Sequence, residues 1–148
     1  MKRLLLIVAL ALAAYLGLAP APGHSDRPAS GGPAVVETSP AVIDQAFAGQ
    51  RSNLQVEGQG TVLRLLADDN TGSRHQRFIV RLDSGLTVLV AHNIDLAPRL
   101  DALRAGDAIA FAGEYEWSSK GGVIHWTHHD PQGRHPGGWL RHGGRTYE

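Results

Sequence analysis

The sequence predicts a mainly β fold, and three observations carry that expectation. Short runs in which apolar and polar residues alternate recur from residue 54 to residue 129, the period-2 signature of half-buried strands. Turn-forming residues separate them, at Ala67 to Ser73, at Asp83-Ser84-Gly85 and at Lys120-Gly121-Gly122. Between the third and fourth runs, Leu96, Leu100 and Leu103 stand at i, i+4 and i+7, which predicts a short helix. Three strands, a helix and two strands form the order of a small five-stranded OB-like barrel (β-β-β-α-β-β).

The N-terminus comes first in the chain and lies outside that barrel. Lys2 and Arg3 precede an apolar run of 15 residues, Leu4 to Leu18, closed by Ala19-Pro20-Ala21. As a helix that run is about 22 Å long, short of the ~30 Å hydrocarbon core of a bilayer. Residues 1–21 therefore read as a secretory signal peptide, which places the mature chain in the periplasm or outside the cell. Pro22 disfavours cleavage, so an uncleaved N-terminal anchor is the alternative and the only expected contact with a membrane. Residues 22–39 are rich in Pro, Gly and Ser and form a flexible linker. A short helix is expected over 40–50, with Ser39 as N-cap, Pro40 at the first helical position, and Val42, Ile43, Ala46 and Phe47 on one face before Gly49 stops it.

The barrel domain spans 53–148. Its first strand carries Leu54, Val56 and Val62 inward, with Gly58 and Gly60 at inward positions that suggest a strong bend. Phe78, Val80 and Leu82 alternate with Arg77, Ile79 and Arg81 in the second strand, which turns at Asp83-Ser84-Gly85 into a third from Leu86 to His92. The fourth strand alternates Ile109, Phe111, Tyr115 and Trp117 with Ala110, Ala112, Glu114 and Glu116. A fifth is expected from Val123 to about His129. The Gly- and His-rich tail from Pro131 carries Trp139, Leu140 and Tyr147, expected to pack on the barrel, cover one opening and bring His135 and His142 near His128.

Several of these runs also resemble a known family. RHQRF (74–78), AHNIDLAPR (91–99), GEYEW (113–117) and GGVIHWTHHDPQGRH (121–135), followed by Gly138-Trp139-Leu140 and Tyr147, look like the bacterial domain of unknown function 3465 family of small exported proteins. The resemblance covers about residues 54 to 148 in the same order. It implies the domain and no chemistry, because that family has no established activity, ligand or catalytic residues.

Composition narrows the chemistry. Among 148 residues there are 14 basic and 14 acidic side chains and no cysteine. Disulfides, thiolate catalysis and Cys-type zinc sites are excluded, and the balanced charge makes no strong case for nucleic acid. No HExxH, GxSxG or P-loop pattern occurs. Histidine is the conspicuous residue: seven of the eight fall between 75 and 142, and five between 125 and 142.

Imidazole is a common metal ligand, so the cluster points to a transition-metal site for zinc or copper, with His75, Glu114, His125, His128, His129 and His135 as the ligand set and Glu116 and Asp130 as further candidates. If 123–129 is a strand, His128 and His129 face opposite ways and His125 and His129 stand about 13 Å apart, so ligands must come from several elements. The competing use of these histidines is structural, as hydrogen-bonded residues holding the tail to the barrel. A second constellation is Arg74, Arg77 and Arg81 on or beside the second strand with Trp126, suited to clamping an anionic or stackable ligand on the face where OB barrels commonly bind. The function expected is an exported OB-like binding module for an unidentified small ligand or protein partner, with a His-rich metal site. A metal-dependent periplasmic hydrolase is the alternative, with Glu114, His128 and His129 as its catalytic groups.

Overall fold

Pairing along both edges makes β1 (Leu54–Leu65) the strand that closes the barrel. In the computed structural model, which describes residues 40–148, β1 pairs antiparallel with β2 (His75–Leu82) from Gly60 opposite Leu82 to Leu65 opposite Phe78. Along its other edge it pairs antiparallel with β4 (Ala108–Glu116), from Leu54 opposite Tyr115 to Thr61 opposite Ala108. β2 pairs antiparallel with β3 (Thr87–Asn93), β3 runs parallel to β5 (Val123–His125), and β5 runs antiparallel to β4. The ring β1-β2-β3-β5-β4 is therefore closed, and the mainly β five-stranded barrel is observed as expected. The signal, linker and Ser39 cap expected over 1–39 lie outside the described residues.

Alternation fills the interior. Val56, Phe78, Val80, Val90, Phe111, Tyr115 and Ile124 are fully buried, each contributing roughly 1.5–3 kcal/mol by removal from water. Gly58 and Gly60 make that packing possible. A Cβ on Gly58 would stand 2.7 Å from the Phe111 ring, and one on Gly60 would collide with the Arg81 carbonyl oxygen. The bend expected of β1 is accompanied by a register shift between Val62 and Arg64.

Helix α1 (Pro40–Ala48) buries Val42, Ile43 and Ala46 against this core, and the Trp117 indole donates to the Phe47 carbonyl at 3.2 Å. Gly49 is not what terminates it. Gln50 adopts the left-handed conformation, φ +51°, while the Arg51 amide bonds the Ala46 carbonyl at 2.9 Å and the Gln50 amide that of Phe47 at 3.2 Å. That is a Schellman cap with a non-glycine at its left-handed position.

Three further expectations need correction. No helix forms over Leu96, Leu100 and Leu103; residues 94–107 run as turns. Pro98 has no amide proton and keeps Ala97 out of the helical region, and the Asn93 side chain accepts the Asp95 amide in a tight turn. Leu100 and Leu103 still plug the core while Leu96 is exposed. β5 ends at His125 and does not reach His129, because Trp126 takes φ +53° and turns the chain out of the sheet; the strand-based spacing of His125, His128 and His129 therefore does not apply. The tail, finally, is not merely docked. β6 (Trp139–His142) and β7 (Arg145–Tyr147) form a hairpin on β4, with Phe111 opposite Leu140. Gly143 and Gly144 supply its two-residue turn with φ +57° and +77°.

Candidate functional site

The loop between β5 and β6 is organised around one carboxylate. Asp130 is buried and accepts the backbone amides of Gln132 at 3.0 Å, of Arg134, and of His135 at 3.1 Å. These donors, the Gln132 amide foremost, hold its pKa below the ordinary carboxylate value. The Asp-Pro-x-Gly run of residues 130–133 is a turn signature, and its work here is to fix the two ends of the loop. Trp126 at the start then stacks on His135 near the end, ring centroids 4.2 Å apart and 11° from parallel.

A cavity of about 520 Å³ opens beneath this loop, lined by His75, His125, Trp126, His128, Arg134 and His135 together with Ser73, Asn93 and Leu96. β2 supplies His75, β5 supplies His125, the β5–β6 loop supplies Trp126, His128, Arg134 and His135, and Asn93 comes from the end of β3. A second cavity of about 380 Å³, between α1 and β6, is lined by residues such as Ile43, Gly58, Ser84, Trp139 and Arg141, with no histidine among its walls. The concentration of imidazoles sets the first cavity apart.

Two kinds of histidine meet there. His75, His128 and His135 each place Nδ1 against a backbone carbonyl, of Ser73 at 2.8 Å, His129 at 2.7 Å and Pro136 at 2.8 Å. A carbonyl only accepts, so Nδ1 is the donor in all three, and each neutral ring keeps a lone pair on Nε2. His125 differs. Its Nε2 is sealed from solvent without a hydrogen-bond partner, 3.5 Å from Glu114 Oε1 and 3.8 Å from Glu116 Oε2. These separations exceed the ~2.7–3.2 Å of a good N–H···O bond.

Strand register explains the grouping. Glu114 is directly opposite His125 across β4 and β5, and Glu116 is opposite Val123, so both carboxylates rise on the same outer face as the imidazole. One donor atom from each of Glu114, Glu116 and His125 lies within 4.8 Å of the other two. Burial lowers the pKa of His125, and burial, followed by the neighbouring Glu116 charge, raises that of Glu114. The ring is therefore neutral at neutral pH, the protonation state a metal ligand needs.

The expected ligand set is thus divided by the fold. His75, His125, His128 and His135 line one cavity, Glu114 borders it through His125, and His129 is exposed and lines none of it. The arginine constellation is not assembled with Trp126. Arg74 is ion-paired to Asp95 at 2.7 Å, and Arg77 donates twice to the Ala67 carbonyl at 3.1 and 3.0 Å. Arg81 is exposed on β2, while Trp126 belongs to the histidine cavity. His142, expected near His128, instead bonds Asp107 Oδ2 at 2.8 Å and ties β6 to the start of β4. Sequence reasoning missed Arg134, a lone cation in a Gly/His loop, and the positioning role of Asp130.

A family model described as protein of unknown function (DUF3465) matches residues 30–148. No curated protein matches the chain, and no solved structure does.

Proposed function

The chain belongs to the DUF3465 family, which carries no assigned activity, and from the residues themselves we propose that it is an exported metal-binding module. Its cation, zinc or copper, is held by Glu114, Glu116 and His125. One observation carries the proposal: a buried, unpartnered His125 Nε2 facing two carboxylate oxygens at 3.5 and 3.8 Å. A tetrahedral cation with bonds of about 2.0–2.1 Å holds its ligand atoms roughly 3.4 Å apart, so a cation fits these gaps better than a hydrogen bond does. Leaving the nitrogen orphaned costs about 1–3 kcal/mol, a penalty that a bound cation removes. Export rests on the N-terminal signal pattern of residues 1–21.

Metal-dependent hydrolysis is the second reading, favoured by the raised pKa of Glu114, which suits a general acid-base beside a metal-bound water. Calorimetric zinc titration of the untagged full chain at pH 7.5 tests the first reading. An equivalent with Kd below about 1 μM that disappears in His125→Ala and in Glu114→Gln, whatever zinc binds elsewhere, is the expected result. Absence of any binding tighter than about 100 μM overturns it. Turnover of model phosphoesters by the zinc-loaded chain, abolished by chelation and absent from the metal-free chain, would promote the hydrolase.

A further inference from the structure

We infer a second cation position in the same cavity, an all-imidazole one built from His75, His128 and His135. It goes beyond the Glu114, Glu116 and His125 cluster and stands whether or not that cluster binds metal.

The argument begins with which nitrogen is engaged. The fully buried His92 uses both ring nitrogens, with Thr127 and with Pro98. His75, His128 and His135 use only Nδ1, each as donor to a carbonyl of its own turn. That arrangement fixes the tautomer and ring orientation of a metal-ligating imidazole, with Nε2 left as the ligand atom. None of the three Nε2 atoms has a hydrogen-bond partner among the described residues; the nearest carboxylate is Asp130, 3.8 Å from the Nε2 of His135.

Proximity is the second part. The His128 and His135 rings meet edge-on at 5.3 Å, and all three side chains line the one cavity. Trp126 touches a ring of each group, stacking on His135 and meeting His125 at 4.9 Å. The three Nε2 atoms are not gathered within 4.8 Å as the first cluster's donors are. Loading must therefore bring the three Nε2 atoms closer together, which will change the surroundings of the Trp126 indole stacked on His135.

Ligand chemistry separates the two positions. Two carboxylates and one imidazole accept manganese(II) as well as zinc, whereas three neutral imidazoles select copper(II), nickel(II) or zinc and discriminate against manganese. The occupant inferred is a first-row transition cation from the late end of that series, with copper(II) as the probe.

The experiment titrates the untagged full chain with copper(II) at pH 7.5 under electron paramagnetic resonance, with tryptophan fluorescence alongside. The variants are Glu114→Gln/Glu116→Gln, His75→Asn/His135→Asn, the four combined, and His129→Asn. His128 is left intact because it is buried. The Glu114→Gln/Glu116→Gln variant is expected to keep one equivalent whose spectrum shows coupling to three nitrogens. Adding His75→Asn and His135→Asn should weaken that equivalent at least 100-fold and abolish the fluorescence change, while His129→Asn leaves it intact. Manganese(II) binding should follow the carboxylates and ignore His75→Asn/His135→Asn. Copper binding in the carboxylate variant that is absent, unchanged by His75→Asn/His135→Asn, or lost in His129→Asn overturns the second position. Copper and zinc binding that is unchanged by Glu114→Gln/Glu116→Gln and weakened only by His75→Asn/His135→Asn overturns the first position and leaves the second standing.

Discussion

His92 and His125 stand on the neighbouring strands β3 and β5, each with a ring nitrogen sealed from water, and the chain uses them in opposite ways. His92 is fully buried. Its Nε2 donates to the Pro98 carbonyl at 3.1 Å, so Nδ1 is left to accept the Thr127 hydroxyl at 2.8 Å. His125 has a sealed Nε2 and no partner for it. Burying a polar atom is costly unless a partner is found. At His92 the chain supplies both partners; at His125 it supplies none, which is what the proposed cation position would use.

The surroundings of His92 give the largest expected effect. Gln76 is directly opposite His92 across β2 and β3, and its amide is bonded both ways to Leu100, accepting the backbone N–H at 2.9 Å and donating to the carbonyl at 3.0 Å. Gln76 and His92 together hold the turn-rich segment that stands where a helix was expected. Gln76→Leu orphans two buried backbone groups at roughly 1–3 kcal/mol each, a loss of about 4 kcal/mol in all. Urea denaturation measures it, and a loss below about 1 kcal/mol would show that Leu100 alone anchors the segment.

Acid tests the same surroundings with a somewhat smaller effect. Burial drives the pKa of His92 down to about 4, so the unfolded chain takes up a proton there that the folded chain refuses. Stability is complete above about pH 6.5, falls as the pH drops towards 4, and loses about 3 kcal/mol across that window. His125, also lowered by burial, acts in the same direction. Asp107 and Asp130, lowered chiefly by backbone amides, lose their contributions only at more acid pH. Denaturation midpoints from pH 7 to 4 should fall steeply in the wild type and much less in His92→Gln. Parallel slopes in the two proteins would move the effect elsewhere.

What was legible in the sequence follows the same division. Period-2 alternation identified four of the barrel strands and their inward residues, because burying one face of a pleated strand writes itself into every second position. Leu96, Leu100 and Leu103 misled at helical spacing. Two of them are core plugs, and the decisive residue was Pro98, whose missing amide outweighs a three-residue pattern. Gly143-Gly144, flanked by Leu140 and Tyr147, carried a hairpin signature that the glycine-rich surroundings concealed. At the site, residue type pointed to His75, His125, His128 and His135. Grouping them required the left-handed turn at Trp126 and the Glu114 to His125 register, neither of which has a local signal. The engagement of Nδ1 by neighbouring carbonyls could only be read from three dimensions.

The smallest expected effect is the one that divides the two histidines most sharply. In metal-free protein, His125→Phe removes an unpartnered nitrogen and keeps a flat ring beside Trp126, so stability should stay within about 0.5 kcal/mol of wild type or rise by up to about 1 kcal/mol. His92→Phe, by contrast, deprives the Thr127 hydroxyl and the Pro98 carbonyl of their partner and should destabilise clearly. Thermal unfolding of both variants, with and without zinc, makes the comparison in one series. Wild type should gain stability on zinc addition, since a ligand bound only by the folded state raises it with concentration. His125→Phe should lose the share of that gain that depends on the Glu114 and Glu116 site, at no cost to the metal-free fold. If metal-free His125→Phe instead falls by more than about 2 kcal/mol, His125 is as structural as His92, and the contrast between a closed and an open histidine fails.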